Sequence, residues 1–443
     1  MDNLETNLFV DKLSASFEIT KDDMKEMLAN FHDEMKRGLA DQASSLKMLP
    51  AFVDIATSKE KGKYIALDLG GTNFRVLQIE LDGRGGAKVA HVSKFVIPKA
   101  LMRGTGVQLF NFVAKSIHKF LIDNKIGLNK KRNLGFTFSF PVNQTNISTG
   151  ILINWTKGFT AKGVVGSNVM KLLTDSIRKF GMEKVKVVAL ANDTVGTLAT
   201  GSYRDPRCDI GIIFGTGTNA CYRERIGNIK KLDIKSKKNQ HMIVNIEWGN
   251  FNKIPTTEYD LRLDKATNNP GKQRMEKMIS GMYLGEIARL ILANMIKYKL
   301  IFKNSKAKFA KGEFKTRHLS FVTSDHTEQL DKIHGYLEGL GILNTTFEER
   351  ELLKNICKIV SKRAARISAA AISAVITWMD PKLRSDHTIA IDGTVYKRLP
   401  DFRRIILGEL KELHKSKAKK IKLVHTKDGS GIGVAIAAAV ATS

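Results

Sequence analysis

Two glycine-centred stretches and a small set of polar positions carry the residue types from which chemistry can be built. Residues 67–75 read LDLGGTNFR behind the apolar YIA. An apolar run that ends at Asp68 and breaks at Gly70 and Gly71 predicts a strand, then a turn through positive φ that brings backbone close to a ligand. Its N–H groups, the Thr72 hydroxyl, the Asn73 amide and the Arg75 guanidinium are what a phosphate requires. Residues 210–224, IGIIFGTGTNACYRE, repeat the design: apolar strand, glycine-bracketed turn with Thr216 and Gly217, a Thr-Asn pair ending in Asn219, apolar strand. Two such hairpins suggest a duplicated architecture whose loops grip one polyphosphate.

Other positions suit a hydroxyl-bearing acceptor. Residues 134–159, LGFTFSFPVNQTNISTGILINWTKGF, are dense in hydroxyls and amides between apolar anchors, and Ser139, Thr156 and Lys157 fit recognition of a polyol. In ALANDTVGT (189–197), Asp193 follows an apolar run and emerges where a strand stops. Ligands of open α/β sheets gather there. Asp193 can act as a general base that orients a hydroxyl toward phosphorus, or it can simply cap a helix. Glu247 in VNIEWG and Glu276 in GKQRMEK stand near Asn245 and Gln273. A pair of carboxylates could serve a glycosidase. Beside two phosphate-type hairpins, their better use is to accept hydrogen bonds from sugar hydroxyls, although a solvent-facing helical Glu is the plain reading of Glu276.

The elements that must position these groups follow from periodicity. Residues 11–47 read as a helical arm, and residues 63–97 as successive strands with a DGRGG turn. Helix is expected at 106–124 and 166–180, strand at 134–138 and 185–190, long helices at 272–299 and 347–378, and strand, helix, strand toward the end. The closing GSGIGVAIAAAVA leaves no room for the βαβ unit of a dinucleotide fold, so its glycines predict a terminal helix that begins beside the nucleotide. GxxxxGK[ST], HRD and DFG are missing, which removes P-loop NTPases and protein kinases.

Length and composition agree with this division. A chain of 443 residues predicts two to three domains. Neither a transmembrane run nor a signal peptide is apparent, which reads as a soluble cytoplasmic protein, and the dispersed Cys208, Cys221 and Cys357 are expected to be reduced and buried. Lys and Arg number 72 against 44 Asp and Glu, a formal charge of +28, with clusters at 230–238, 297–317 and 411–422. Few aromatic residues interleave with them, which argues against specific nucleic-acid binding and leaves a solvated face or weak contact with anionic surfaces.

In combination and order, LDLGGTNFR, LGFTFSFP with NWTKGF, ANDTVGT, GTGTNACY, VNIEWG, NPGKQRMEKMISGMYLGE, IDGTVYK and DGSGIG resemble a single-lobe hexokinase of the eukaryotic type, within the actin-like ATPase superfamily. The resemblance implies an α/β, two-domain actin-like (ribonuclease H-like) fold with a cleft. Residues 1–60 would join the large domain as a helical arm, 61–192 form the small domain, 193–425 the large one, and 426–443 a helix returning to the small domain. It implies ATP-dependent phosphorylation of the 6-hydroxyl of glucose and related hexoses. Asp193 would be the base, with Ser139, Phe140, Thr156, Lys157, Asn192, Asn219, Asn245, Glu247, Gln273 and Glu276 around the sugar. Asp68, Gly70, Gly71, Thr72, Asn73 and Arg75 would form the first phosphate loop and Thr216 and Gly217 the second. Gly393, Thr394 and Lys397, with Thr316 and Ser320, would face adenosine, and Mg2+ would ride on the ATP phosphates, reached by Asp68 and Asp193 through water.

Overall fold

The computed structural model describes residues 2–71, 73–155, 158–232, 240–303 and 309–442. Thr72, Thr156, Lys157 and part of the basic stretches at 230–238 and 297–317 therefore lie outside the described residues.

Two mixed sheets organise the chain. One joins β2 (Lys61–Leu69), β3 (Asn73–Asp82), β4 (Ala87–Val96), β5 (Arg132–Phe138) and β8 (Val185–Ala191) in the order β4-β3-β2-β5-β8. Its β2, β3 and β4 pair antiparallel, while β5 runs parallel to β2 and to β8. The other joins β1 (Leu49–Pro50), β9 (Cys208–Phe214), β10 (Thr218–Arg225), β11 (His241–Asn245), β12 (His387–Asp392) and β13 (Ile421–His425) in the order β1-β11-β10-β9-β12-β13. Apart from the short edge strand β1, both sheets follow one plan: the first strand central, an antiparallel meander on one side, two parallel strands on the other. The repeat legible in the two hairpins is thus a repeat of whole sheets. A separate ribbon, β6 (Val142–Asn146) with β7 (Thr149–Leu152), follows β5.

Each sheet has its own core. Helices Gly106–Asp123 and Val169–Lys179 bury Val113, Ile117, Leu173 and Ile177 against β2, β3 and β5. Around the second sheet pack the N-terminal helices, the helices Glu258–Lys265 and Leu284–Lys297, and the long helix Phe347–Met379, whose Ala and Ser residues let neighbours approach closely. Between the sheets lie helix Asp193–Arg204, which packs on β9, and the terminal helix Gly429–Val440, which packs on β2 and β5. They touch backbone to backbone: a Cβ on Gly433 would run into the Gly196 carbonyl. Among the described residues no helix is long and apolar enough to cross a membrane, and the three cysteines are free and buried.

Two helical expectations are corrected. The arm is not one helix but two, Asp2–Phe17 and Lys21–Leu39, because Thr20 and Asp23 form a capping box that starts the second afresh. It ends before residue 47, since Ser44 and Ser45 fold back to donate hydrogen bonds to the buried Glu34 carboxylate. The stretch 272–299 splits into Arg274–Ile279 and Leu284–Lys297. The N–H groups of Gly281 and Met282 leave the helix to bond the carbonyls of Gly215 (2.8 Å) and Thr216 (3.0 Å) in the second glycine turn.

Candidate active site

Strand β8 ends in Ala191, and Asn192 caps the helix that follows by accepting a hydrogen bond from the Thr194 N–H at 3.0 Å. Asn192 takes the capping role, so Asp193 opens the first turn with its carboxylate oriented by the Thr194 N–H at 2.9 Å. Thr194, fully buried, donates its hydroxyl to Asn192 Oδ1 at 2.8 Å and reaches Asn245 Oδ1 at 3.4 Å. From there the network continues across the second sheet. Asn219 Nδ2 donates to Asn245 Oδ1 (2.8 Å) and to Glu247 Oε1 (3.0 Å), and Asn245 Nδ2 donates to the same Glu247 oxygen (2.8 Å). Glu247 is held in the left-handed region at φ 59°, a strained position that fixes where its carboxylate points. Burial pushes its pKa up, and the nearby charge of Asp193 adds to that, against the Asn245 and Asn219 amides and Lys47.

Gln273 and Glu276 close the same side. Gln273 also sits at positive φ, 55°, and its Oε1 lies so near Gly249 that a Cβ there would meet it at 2.5 Å. Glu276 is half-buried rather than solvent-facing, because its Oε2 accepts the Thr218 N–H at 3.0 Å. That carboxylate thereby fixes the second glycine turn, and a Cβ on Gly217 would stand 2.6 Å from it. Thr216 at the tip is exposed. On the other sheet, Ser139 and Phe140 follow β5; the Ser139 N–H bonds the Leu69 carbonyl at 3.1 Å, beside Gly70. The Phe140 ring is buried among Phe138, Trp155 and Phe159, so its contribution is to hold this segment in place.

The first glycine turn differs from expectation. Neither Gly70 nor Gly71 adopts positive φ, and a Cβ on Gly71 would meet nothing within 4 Å. Asp68 and Arg75 are cross-strand partners. Arg75 donates to Asp68 Oδ2 at 2.6 Å and, with its other arm, to Asp428 Oδ1 at 2.8 Å. Burial works against the guanidinium's charge, yet Asp68 and Asp428 hold its pKa above the ordinary value. Ser430, in the terminal helix, donates to Asp68 Oδ2 at 2.9 Å. Beside this cluster a groove of about 500 Å³ is lined by Asp68, Gly70, Asn73, Arg75, Lys94 and Phe95. Asp428 and Ser430 were not singled out in the sequence. The signal was present in DGSGIG, where an Asp and a Ser flank the glycine that opens a helix, but their partner lies over 350 positions away.

The segment IDGTVYK lies beside the second turn. Gly393, at φ 118°, packs so closely on the Phe214 carbonyl that a Cβ would collide with it. Asp392 ties this segment to the terminal helix, its carboxylate accepting the Gly393 N–H at 2.7 Å and the Gly429 N–H at 3.1 Å. Thr394 and Lys397 are exposed. Ser320 donates to the Arg398 carbonyl at 2.7 Å, which joins its helix, Thr316–Thr323, to this segment, whereas Thr316 spends its hydroxyl accepting the Gly285 N–H at 2.9 Å.

Asp68, near the end of β2, and Asp193, just past β8, are carboxylate donors of the kind that fits Mg2+ arriving on a polyphosphate, since that ion is commonly held by one or two carboxylates, water and phosphate oxygens.

Two sheets of one plan, a helix pair between them and a glycine turn from each define a two-domain α/β protein of the actin-like ATPase type. Family models described as hexokinase match residues 9–203 and 209–440. Hexokinase-7 of Oryza sativa subsp. japonica is 42% identical over 423 residues, covering 92% of this chain and 91% of the relative. Hexokinase-1 of Rattus norvegicus is 40% identical over 447 residues, 97% of this chain and 48% of the relative, so the chain spans about half the length of that protein. A solved hexokinase from Schistosoma mansoni, complexed with glucose, superposes with a TM-score of 0.89 at 34% identity and 99% coverage of both chains. The chain belongs to the hexokinase family.

Proposed function

We propose that this chain transfers the γ-phosphoryl group of ATP to the 6-hydroxyl of glucose and related hexoses, the first step of glycolysis, in the cytoplasm. One observation carries the reading: the hydrogen-bond chain from Thr194 through Asn245 and Asn219 to Glu247, which joins the Asp193 turn to a cluster of amides and carboxylates that a polyol would satisfy. Asp193 acts as the general base, accepting the proton of the sugar hydroxyl as it attacks phosphorus. Phosphoryl transfer has a loose transition state, so the base chiefly aligns the nucleophile.

Asn192, Asn219, Asn245, Glu247, Gln273 and Glu276, with Ser139, Thr156 and Lys157 from the other domain, hold the hexose, and Phe140 holds the segment of Ser139 in place. The backbone of Gly70, Gly71, Thr216 and Gly217, with Thr72 and Asn73, receives the phosphates, and Asp68 and Arg75 brace the first loop. Gly393, Thr394, Lys397, Thr316 and Ser320 bound the adenosine side. Asp68 and Asp193 would hold Mg2+ on the bound ATP through water, and the ion would supply neutralisation of phosphate charge there. We divide the chain into a small domain at 61–192, completed by the helix at 426–443, and a large domain at 193–425 that includes the arm at 1–60. Closure between them excludes water and so protects ATP from hydrolysis.

Asp193→Ala is expected to retain hexose affinity within a few fold while kcat falls by about 10³-fold, in the range ascribed to general-base catalysis. Titration calorimetry with glucose and a coupled assay for hexose 6-phosphate measure the two quantities. Near-normal turnover would remove the assignment, and ATP hydrolysis indifferent to glucose would point instead to a sugar-independent ATPase.

A further inference from the structure

The excess of positive charge has a place in the fold. Helix Phe402–His414, the following turn Lys415–Lys420 and edge strand β13 run along one side of the second sheet, beside the loop 380–386. The turn is fastened down: Lys417 donates to the Lys382 carbonyl at 2.9 Å and Lys420 to the Arg384 carbonyl at 2.5 Å. Lys411, Lys415, Lys419 and Lys422 point to solvent from this frame. The acids nearby are engaged: Glu412 pairs with Lys21 (3.5 Å), Asp386 with Arg207 (3.9 Å), Glu409 with Arg366 (3.1 Å) and Asp401 with Arg404 (2.9 Å), and Asp380 accepts the Arg384 and Ser385 N–H groups; Arg404 is thereby compensated, while Lys411, Lys415, Lys419 and Lys422 are not paired with these acids. The result is a fixed, nearly uncompensated basic face.

We propose that this face docks the enzyme reversibly on an anionic phospholipid surface. Three features favour lipid headgroups over nucleic acid. The charges are mostly lysines, flexible point charges that attract an anionic surface without fixed geometry, whereas nucleic-acid recognition favours the bidentate arginine fork. The aromatic rings of this region, Tyr396 and Phe402, are buried and cannot stack on bases. Leu407, 39% exposed, shares a helical face with the exposed Arg403 and Lys411, four residues to either side, an apolar side chain within a basic helical face. The docking side also leaves the cleft open. Strands β12 and β13 run parallel, with His387 and Ile421 beside the basic turn, whereas Gly393 and the terminal helix stand at their opposite ends. Five residues of strand separate the two ends by about 16 Å.

The test is co-sedimentation of the full chain with vesicles of phosphatidylcholine alone and of phosphatidylcholine mixed with phosphatidylserine. Binding is expected only to the mixed vesicles and is expected to weaken as salt rises toward about 0.15 M, where the screening length is about 8 Å. Each positive charge lost should reduce partitioning about five-fold, so Lys411→Glu/Lys419→Glu/Lys422→Glu, which reverses three charges, should reduce it by well over about a hundredfold. The same positions changed to Gln provide a milder set. Lys131→Glu/Lys184→Glu/Lys186→Glu removes equal charge from exposed positions beside and within the first sheet and should bind nearly as the parent does. Glucose-dependent turnover, unchanged in all variants, verifies folding. The proposal is overturned if the parent shows no phosphatidylserine-dependent sedimentation at low salt, if both triple variants lose binding equally, or if the parent binds single-stranded RNA through the same three lysines more tightly than it binds the mixed vesicles.

Discussion

The two glycine turns share a sequence pattern and a place in their sheets, yet they are built on different principles. In the first, Leu69 pairs with Phe74 and four residues form the loop; in the second, Phe214 pairs with Thr218 and three do. A side chain on Gly71 would enter open space, whereas one on Gly217 would strike the Glu276 carboxylate. Glycine in the first turn borders open space, and in the second it makes room for the protein itself. The first is braced by side chains, Asp68, Arg75, Asp428 and Ser430. The second is braced by backbone bonds from Gly281 and Met282 and by Glu276. One pattern therefore serves two mechanical solutions.

Alanine at each glycine breaks this comparison most directly. At Gly217 the added carbon must displace Glu276 Oε2, the mobile end of a side chain, so backbone rearrangement is small but the Thr218 bond and the carboxylate's position are lost. Gly217→Ala is expected to lower kcat/KM for glucose by about a hundredfold, equivalent to about 2.7 kcal/mol, with a loss of stability of about 1.5 kcal/mol from the charge-assisted bond. Gly71→Ala should keep stability within about 0.5 kcal/mol, as expected where no neighbour is touched, and raise KM for ATP instead. Steady-state kinetics with each substrate varied, alongside thermal unfolding, separate the two. If both variants fail in the same substrate and to the same degree, the two turns are alike after all.

Arg75→Ala tests the side-chain brace. Removing the guanidinium leaves Asp68 and Asp428 facing one another without their shared cation, so a loss of about 2 kcal/mol is expected, read as a lowered Tm that recovers partly with salt. Arg75→Lys should restore part of it, because one ammonium cannot reach both acids as the fork does. An unchanged Tm would mean that packing and the remaining hydrogen bonds, such as that from the Gly429 N–H to Asp392, hold the terminal helix without this brace. This brace also marks the limit of what sequence reveals. The strands of both hairpins, the positions of both turns and the terminal helix were legible, since apolar runs broken by glycine encode them locally; β6, β7 and β11 were not, and neither was the first turn's conformation. The Asp68 to Arg75 pairing was hidden by its reading as two free ends of a phosphate loop, when a hairpin of this register sets them side by side. The break after Ile279 was hidden because its cause, two carbonyls of the second turn, lies elsewhere in the chain. Likewise the plain reading of Glu276 as a surface residue failed for want of knowing that Thr218 would stand beside it.

Thr194 gives a smaller and sharper test, because it touches the Asp193 turn and the second sheet but neither glycine turn. Its N–H orients the Asp193 carboxylate, and its hydroxyl bridges Asn192 and Asn245. Thr194→Val preserves shape and removes the bridge; kcat should fall about tenfold, or about 1.4 kcal/mol, with glucose affinity nearly unchanged. Thr194→Ser should restore most of the rate. A loss of affinity that serine does not rescue would make the residue a packing element of the seam only.

Acid should finally distinguish the far ends of the two sheets. At the base of the second, Asp205 accepts from Arg207 and from the Thr388 hydroxyl, and the Arg207 bond foremost, against a smaller opposing effect of burial, brings its pKa down to about 2. A folded pKa below the ordinary carboxylate value means that the stabilisation is complete above about pH 4 and is lost as pH falls through about 2. Arg207 is 57% exposed, so solvent screening limits the contribution to about 1 kcal/mol or less. The base of the first sheet is joined there by a backbone bond, Arg132 N–H to the Lys184 carbonyl, which does not titrate in this range. Trp248 and Trp378 report on the second sheet's domain and Trp155 on the first. In a titration from pH 4 to 2, single-tryptophan variants should show the second domain loosening earlier, and Asp205→Asn should shift that domain's transition while leaving the Trp155 signal in place. Coincident transitions in both domains, unmoved by Asp205→Asn, would show that the seam helices, rather than the separate sheet bases, set acid stability.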